Sequence, residues 1–210
     1  MDGKWNSHVT VLNLATGLPP GRFDDTSWGW EFSPDETLLA AGMEDHSITL
    51  RNLEARTNVT RLKAHTGGIR SLKFSPDGRH MAAASEDNTI RLWDTTSWKE
   101  LDLLRGQMGG VIAAMFSPDG RFLASGSADQ ALKLWDVSSI PARELLNFPI
   151  APYFPSSVML PPDSSVLVVN VINGVTEQRT VLLLRAPSFA EIDAREKAKK
   201  QERATVSGNN

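Results

Sequence analysis

The tetrapeptide Phe-Ser-Pro-Asp begins at Phe32, Phe74 and Phe116, so the same turn returns every 42 residues. A period of this length constrains the fold more than any single residue does. It means that one supersecondary unit is copied along the chain, and each copy has to bury its faces against its neighbours. The triplet Leu-Trp-Asp keeps the same spacing, at Leu92-Trp93-Asp94 and Leu134-Trp135-Asp136. One period earlier stands Leu50-Arg51-Asn52, which has lost the tryptophan and the aspartate.

Short strands and turns alternate within a period. Ile69, Leu72 and Phe74 are apolar among polar neighbours, and Ser75-Pro76-Asp77-Gly78 reads as a turn, with proline presetting φ and glycine accepting a positive φ. Met81–Ala84 predicts a second, largely buried strand, Glu86-Asp87-Asn88 a turn, and Ile90, Leu92 and Trp93 a third strand. A more polar fourth strand falls near Lys99–Leu104. Four strands with no helix between them describe an antiparallel meander. One such sheet has two apolar faces and is not stable alone, so successive sheets are expected to stack around an axis as a β-propeller or part of one.

Period, turn tetrapeptide and Trp-Asp ending together resemble the WD-repeat (WD-40) propeller family, over about Val9 to Arg185. The resemblance implies a hydrogen-bonded network in each blade. It joins a His in the incoming loop, a Ser or Thr on the second strand, an Asp in the next turn and the third-strand Trp. The second repeat supplies His65, Asp87 and Trp93, with Ala83 where the hydroxyl belongs. The third supplies Ser125, Asp129 and Trp135, with Gln107 in the histidine place, and the first keeps Asp45 with Arg51 for tryptophan. By this count no repeat holds the whole set. A His–Asp pair also suggests acid–base chemistry. An Asp recurring every 42 residues is instead a framework device, since an active site needs one unrepeated constellation.

Nothing else in the sequence points to catalysis. The chain has no cysteine, which excludes disulfides, thiolate metal sites and cysteine nucleophiles. No glycine loop has the phosphate-binding pattern, and Gly126-Ser127-Ala128-Asp129 lacks a nucleophile elbow. His8, His46, His65 and His80 are scattered over separate turns and strands, so no metal and no cofactor is expected. The net charge of −3 argues against a broad basic nucleic-acid-binding face. No run of eighteen apolar residues predicts a membrane helix, and Met1–Trp5 lacks the apolar stretch of a secretory signal, so cytoplasmic placement is the default expectation.

Counting strands gives the architecture: all-β, a partial β-propeller of about four four-stranded antiparallel blades with a short C-terminal helix. Propeller sequence spans 5–185, with repeats near 27–63, 69–105, 111–148 and 156–184. His8–Leu14 and Leu18–Phe23 read as the last two strands of a preceding blade. The fourth repeat is diverged, with a turn at Pro161-Pro162-Asp163-Ser164, strands Val166–Val171 and Thr180–Leu184, and a tight turn at Asn173-Gly174. Seventeen strands fall short of a seven-bladed ring, which needs about 290 residues. Ser188-Phe189-Ala190-Glu191 has capping-box spacing and opens a helix over 188–204, followed by a disordered tail at 205–210. Leu184–Ile192 also resembles the C-terminal close of bacterial WD-repeat proteins, in which repeats follow a signalling module.

The expected function is that of a non-catalytic scaffold for protein–protein interaction, part of a larger signalling or regulatory protein. The family resemblance places recognition on the loops entering each blade and on the turns between second and third strands. Those positions are Thr66, Gly67, Gly68, Met108 and Gly109, with Glu44, Glu86 and Gln130 in the turns. Acidic side chains there favour a basic protein or peptide partner. The alternatives are self-association, in which missing blades or a second copy complete a ring, and a propeller enzyme. No nucleic acid and no membrane partner is expected.

Overall fold

The computed structural model describes residues 8–11, 21–24, 26–63, 65–161 and 166–185, with side chains from residue 29 onward. All seventeen strands among them pair antiparallel with their sequence neighbours. β1 (His8–Val11) and β2 (Gly21–Asp24) form a two-stranded sheet. Blade 1 contains β3 (Thr26–Phe32), β4 (Leu38–Met43), β5 (Ile48–Asn52) and β6 (Thr57–Leu62). Blade 2 contains β7 (Ile69–Phe74), β8 (His80–Ser85), β9 (Ile90–Asp94) and β10 (Glu100–Leu104). Blade 3 contains β11 (Val111–Phe116), β12 (Phe122–Ser127), β13 (Ala131–Asp136) and β14 (Arg143–Pro149). Blade 4 has three strands, β15 (Tyr153–Met159), β16 (Val166–Asn173) and β17 (Arg179–Arg185). The fold is a partial β-propeller.

The recurring turn works the same way each time. The hydroxyls of Ser33, Ser75 and Ser117 donate to Asp35, Asp77 and Asp119 at 2.5, 2.6 and 2.6 Å. The same oxygens accept the N–H groups of Leu38, His80 and Phe122, each at 2.9 Å, so one Ser–Asp pair pins the start of the second strand in each of blades 1 to 3. The prolines between them fix φ and need no partner for a missing N–H.

The core lies between blades rather than within them. Ala40, Ile48 and Leu50 of blade 1 pack on Ile69, Leu72, Met81 and Trp93 of blade 2. Ala82, Ile90, Leu92 and Leu104 of blade 2 pack on Val111, Ala114, Phe116, Leu123 and Trp135 of blade 3. Ala113, Ala124 and Leu132 of blade 3 meet Val158, Val169 and Val171 of blade 4. An ion pair from Lys73 Nζ to Glu31, 2.6 Å long, ties blades 1 and 2 as well.

Blade 4 departs from the sequence reading at its hairpin. Five residues, 174–178, connect β16 to β17 instead of a tight Asn173-Gly174 turn. Asn173 caps the loop, its Oδ1 accepting the N–H groups of Val175 and Thr176 at 2.8 and 3.0 Å, and Glu177 takes the positive φ of 57°. An Asx cap of this kind competes with the two-residue turn that Asn-Gly otherwise favours. Pro162–Ser164, the helix expected at 188–204 and the tail at 205–210 lie outside the described residues.

Blade 4 docks closely on blade 3. A Cβ on Gly126 would lie 2.7 Å from Pro155 Cβ, and the proline ring is too rigid to move aside. Gly126→Val is therefore expected to destabilise the chain by about 1–3 kcal/mol through overpacking. Urea unfolding measures it; an unchanged midpoint would show that the two blades do not hold this spacing in solution.

Candidate functional site

In blades 1 to 3 the turn between second and third strands carries an aspartate, held by a different set of partners in each. In blade 1, Asp45 accepts the Ser47 hydroxyl at 2.5 Å and the Arg61 guanidinium at 2.7 Å. These two hold its pKa at about 2. In blade 2, the N–H at His65 Nδ1 donates to Asp87 Oδ2 at 2.9 Å, and the Thr66 N–H donates to the same oxygen at 3.0 Å. Thr89 donates its hydroxyl to Asp87 Oδ1 at 2.6 Å. Burial alone would push the Asp87 carboxyl up, but Thr89, the Thr66 N–H and His65 outweigh it and bring it to about 2. Burial pushes the His65 pKa down against the pull of Asp87, so the imidazole stays neutral at pH 7.

Blade 3 closes the network that the residue types alone leave open. Gln107 stands in the histidine place and donates from Nε2 to Ser125 Oγ at 2.8 Å. Trp135 Nε1 donates to the same hydroxyl at 2.9 Å. The Ser127 hydroxyl sits between Gln107 Oε1, at 2.8 Å, and the Asp129 carboxylate. Asp129 in turn accepts the Met108 N–H at 2.6 Å. Trp135, Ser125, Gln107, Ser127 and Asp129 form one continuous chain of bonds. The sequence reading places Gln107 in the histidine position without assigning it these bonds, and it does not include Ser127 or Thr89 in the network. For Ser127 and Thr89 the available signal was a Ser or Thr two residues before or after the Asp.

Blade 2 lacks this closure. Ala83 occupies the register position of Ser125, and His65 Nε2 is buried with no hydrogen-bond partner among the described residues. The His65 ring instead meets Trp93 edge-on, centroids 5.9 Å apart. A missing hydroxyl, rather than a poised base, accounts for the orphan nitrogen.

These same bonds place the candidate recognition loops side by side. Glu86 N–H donates to Gly68 O at 3.0 Å, and Ala128 N–H donates to Gly110 O at 2.9 Å. A Cβ on Gly67 would lie 2.7 Å from Asp87 N, and one on Gly109 would lie 2.6 Å from Asp129 N, so both loops need glycine to approach. Gly110 rests on Glu86 across the blade boundary, its Cβ position 3.2 Å from Glu86 Cα. Thr66, Gly67 and Glu86 therefore share one edge, and Gly110 continues it into the blade 3 loop that carries Met108. Gln130 follows Asp129 with a positive φ of 62°, and Glu44 occupies the exposed turn of blade 1. Among the described residues, no group of three His, Asp or Glu side chains could hold a metal.

Ser125→Ala leaves Trp135 and Gln107 with unmade bonds in a buried site and is expected to cost about 1–3 kcal/mol; Ala83→Ser supplies His65 Nε2 with a partner and is expected to gain about 0.5–1.5 kcal/mol. Denaturant midpoints of both variants check the pair, and a neutral Ser125→Ala would dismiss the network as a source of stability. For pH, Asp45 and Asp87 have folded pKa values below their ordinary one. Their contribution is full above about pH 4 and is lost as pH falls through about 2. The lowered His65 pKa acts in the same direction below about pH 6.5, because the unfolded chain takes up that proton first. Stability should thus fall steadily on acidification, and Asp87→Asn should flatten the acid limb in urea titrations at stepped pH.

Residues 56–94 and 98–136 match the family model described as WD domain, G-beta repeat. No curated protein matches the chain. The matched segments run from the outer strand of one blade to the Trp-Asp of the next, β6–β9 and β10–β13. The chain carries two matched WD40 repeats, set within consecutive blades of a partial propeller.

Proposed function

We propose that the chain is a non-catalytic interaction scaffold that binds a protein or peptide through the edge built from its incoming loops and second-to-third-strand turns. WD40 repeats are in general a protein-interaction kind of domain. The observation that carries the finer reading is Met108, which is 88% exposed while its own N–H is clamped to Asp129. A large apolar side chain held in water on a fixed backbone has the character of an interface anchor. Exposed Glu86 and Glu44 add negative charge along the same blade turns. A basic segment with an apolar side chain is the partner chemistry this edge suits. The C-terminal resemblance supports a place within a larger signalling or regulatory protein, and cytoplasmic placement is part of the same proposal. Among the described residues no helix is long and apolar enough to cross a membrane.

Fluorescence anisotropy against a panel of labelled Lys/Arg-containing peptides tests the reading. Met108→Asp combined with Glu86→Lys is expected to weaken any binding peptide at least roughly tenfold, the effect of about 1.4 kcal/mol. Added salt should weaken the wild type and spare the variant. Equal binding by the two proteins would overturn the assignment of this edge.

A further inference from the structure

A groove of about 300 Å³ runs between blades 3 and 4. Leu134, Leu146, Phe148, Leu160, Leu167 and Leu184 line it, with Lys133 and Arg185 at its walls. Strand register explains why it exists. Met81 faces Trp93 across blade 2, and Leu123 faces Trp135 across blade 3. The equivalent pair in blade 4 is Leu167 and Leu184, so a leucine stands where blades 2 and 3 carry an indole. The consequence shows on the opposite wall. Leu104 of blade 2 is 3% exposed because blade 3, with Trp135, covers it, whereas Phe148, in the same register position of blade 3, is 53% exposed.

We propose that the segment following Arg185 docks in this groove, with Phe189 in the place of the missing indole and Ile192 beside it. The segment leaves from the groove wall itself, because Leu184 and Arg185 both line it. Phe189 is four residues further on, a reach of at most about 14 Å. A cavity of about 150 Å³ holds one benzene ring, so roughly twice that volume takes a phenyl ring and a branched side chain. Phe189 and Ile192 are three residues apart, the spacing that puts two side chains on one face of the helix that the Ser188–Glu191 capping box predicts.

Charge agrees with this placement. Glu191 and Asp193 flank Ile192, and Arg185, exposed at the rim, has no ion pair among the described residues. Lys133 is already held by Glu144 at 2.7 Å, which leaves Arg185 as the cation that meets the acidic pair. Tethering gives the segment a high effective concentration at the groove, so it competes well against free ligands.

The absence of native cysteine allows a direct test in the full chain. Phe189→Cys is combined with Leu146→Cys in the groove wall, or with Val59→Cys on the outer strand of blade 1 as a control of similar exposure. On mild oxidation the groove pair is expected to form an intrachain disulfide at least roughly tenfold faster than the control. Equal rates for the two pairs, or disulfides only between chains, would overturn the proposal, the second outcome assigning the groove to a second copy. Phe189→Ala in the otherwise native chain gives an independent readout. It is expected to raise binding of an anilinonaphthalene dye severalfold, and unchanged dye fluorescence would equally overturn the docking.

Discussion

The stacking of blades 1 to 3 rests on the second strand of each being buried on both faces. β8 is buried at five of six positions and β12 at all six. A strand in that position touches the blade before it with one face and the blade after it with the other. Both neighbours have to come close, and the residues that permit it are small: Ala82, Ala83 and Ala84 in β8, and Ala124, Ser125 and Gly126 in β12. Large apolar side chains sit at the start of these strands, as Met81, Phe122 and Leu123 do, or come from the flanking strands, where Leu72, Ile90, Leu92 and Trp93 fill the space between sheets. Stability is therefore a property of blade pairs, as it is in other stacked repeats, and no blade has a core of its own.

Close stacking also determines what the polar groups at the blade ends can be. A turn pressed between an incoming loop and the next blade has backbone N–H groups that water cannot reach freely, and each left unpaired carries a penalty. One aspartate per turn answers this. It appears as Asp45, Asp87 and Asp129, always accepting from its own turn and from a group on another strand or loop. The distant partner varies: Arg61 on the outer strand of blade 1, His65 and the Thr66 N–H in blade 2, the Met108 N–H and the Ser127–Gln107 chain in blade 3. A constant acceptor with interchangeable donors is the behaviour of a clamp. Carboxylates pulled down to about 2 by donors that already fill them are poorly suited to accept a substrate proton near neutral pH.

This division explains what could be read from sequence. Strands and blade order were legible because they follow local signals: alternation, the Ser-Pro-Asp turn and the 42-residue return of Trp-Asp. The Gln107–Ser125–Ser127 connection was not, because it depends on an incoming loop and a strand end meeting across some twenty residues. Glutamine mimics histidine there by presenting a donor and an acceptor at two ends of a flat group, which no periodic pattern announces. The hairpin of blade 4 was misread for a related reason. Asn-Gly carries a strong local turn preference, yet the Asn173 side chain was free to cap a longer loop, and the strand register of Val171–Ile172 with Arg179–Thr180 sets where that loop ends.

The rule that every blade face meets the next blade also orders the exposed apolar surface. Glu31 of β3 turns toward blade 2, so Trp30 and Phe32, which alternate with it, face away; Trp30 is 50% exposed and the two rings contact edge to face at 6.3 Å. At the other end Leu182 and Leu184 pack toward blade 3, so Val181 and Leu183 face away, and Leu183 is 69% exposed. Between these ends the interfaces close well wherever an indole is available and open where Leu184 replaces it. Among the described residues, exposed large apolar side chains other than loop and outer-strand positions such as Met108, Val175 and Val59 gather at the first face of blade 1, the last face of blade 4 and the interface that lacks an indole. Among the described residues the interfaces between blades 1, 2 and 3 are closed, and the apolar surface that no neighbouring blade covers lies mainly on the outer faces of blades 1 and 4 and in the groove between blades 3 and 4.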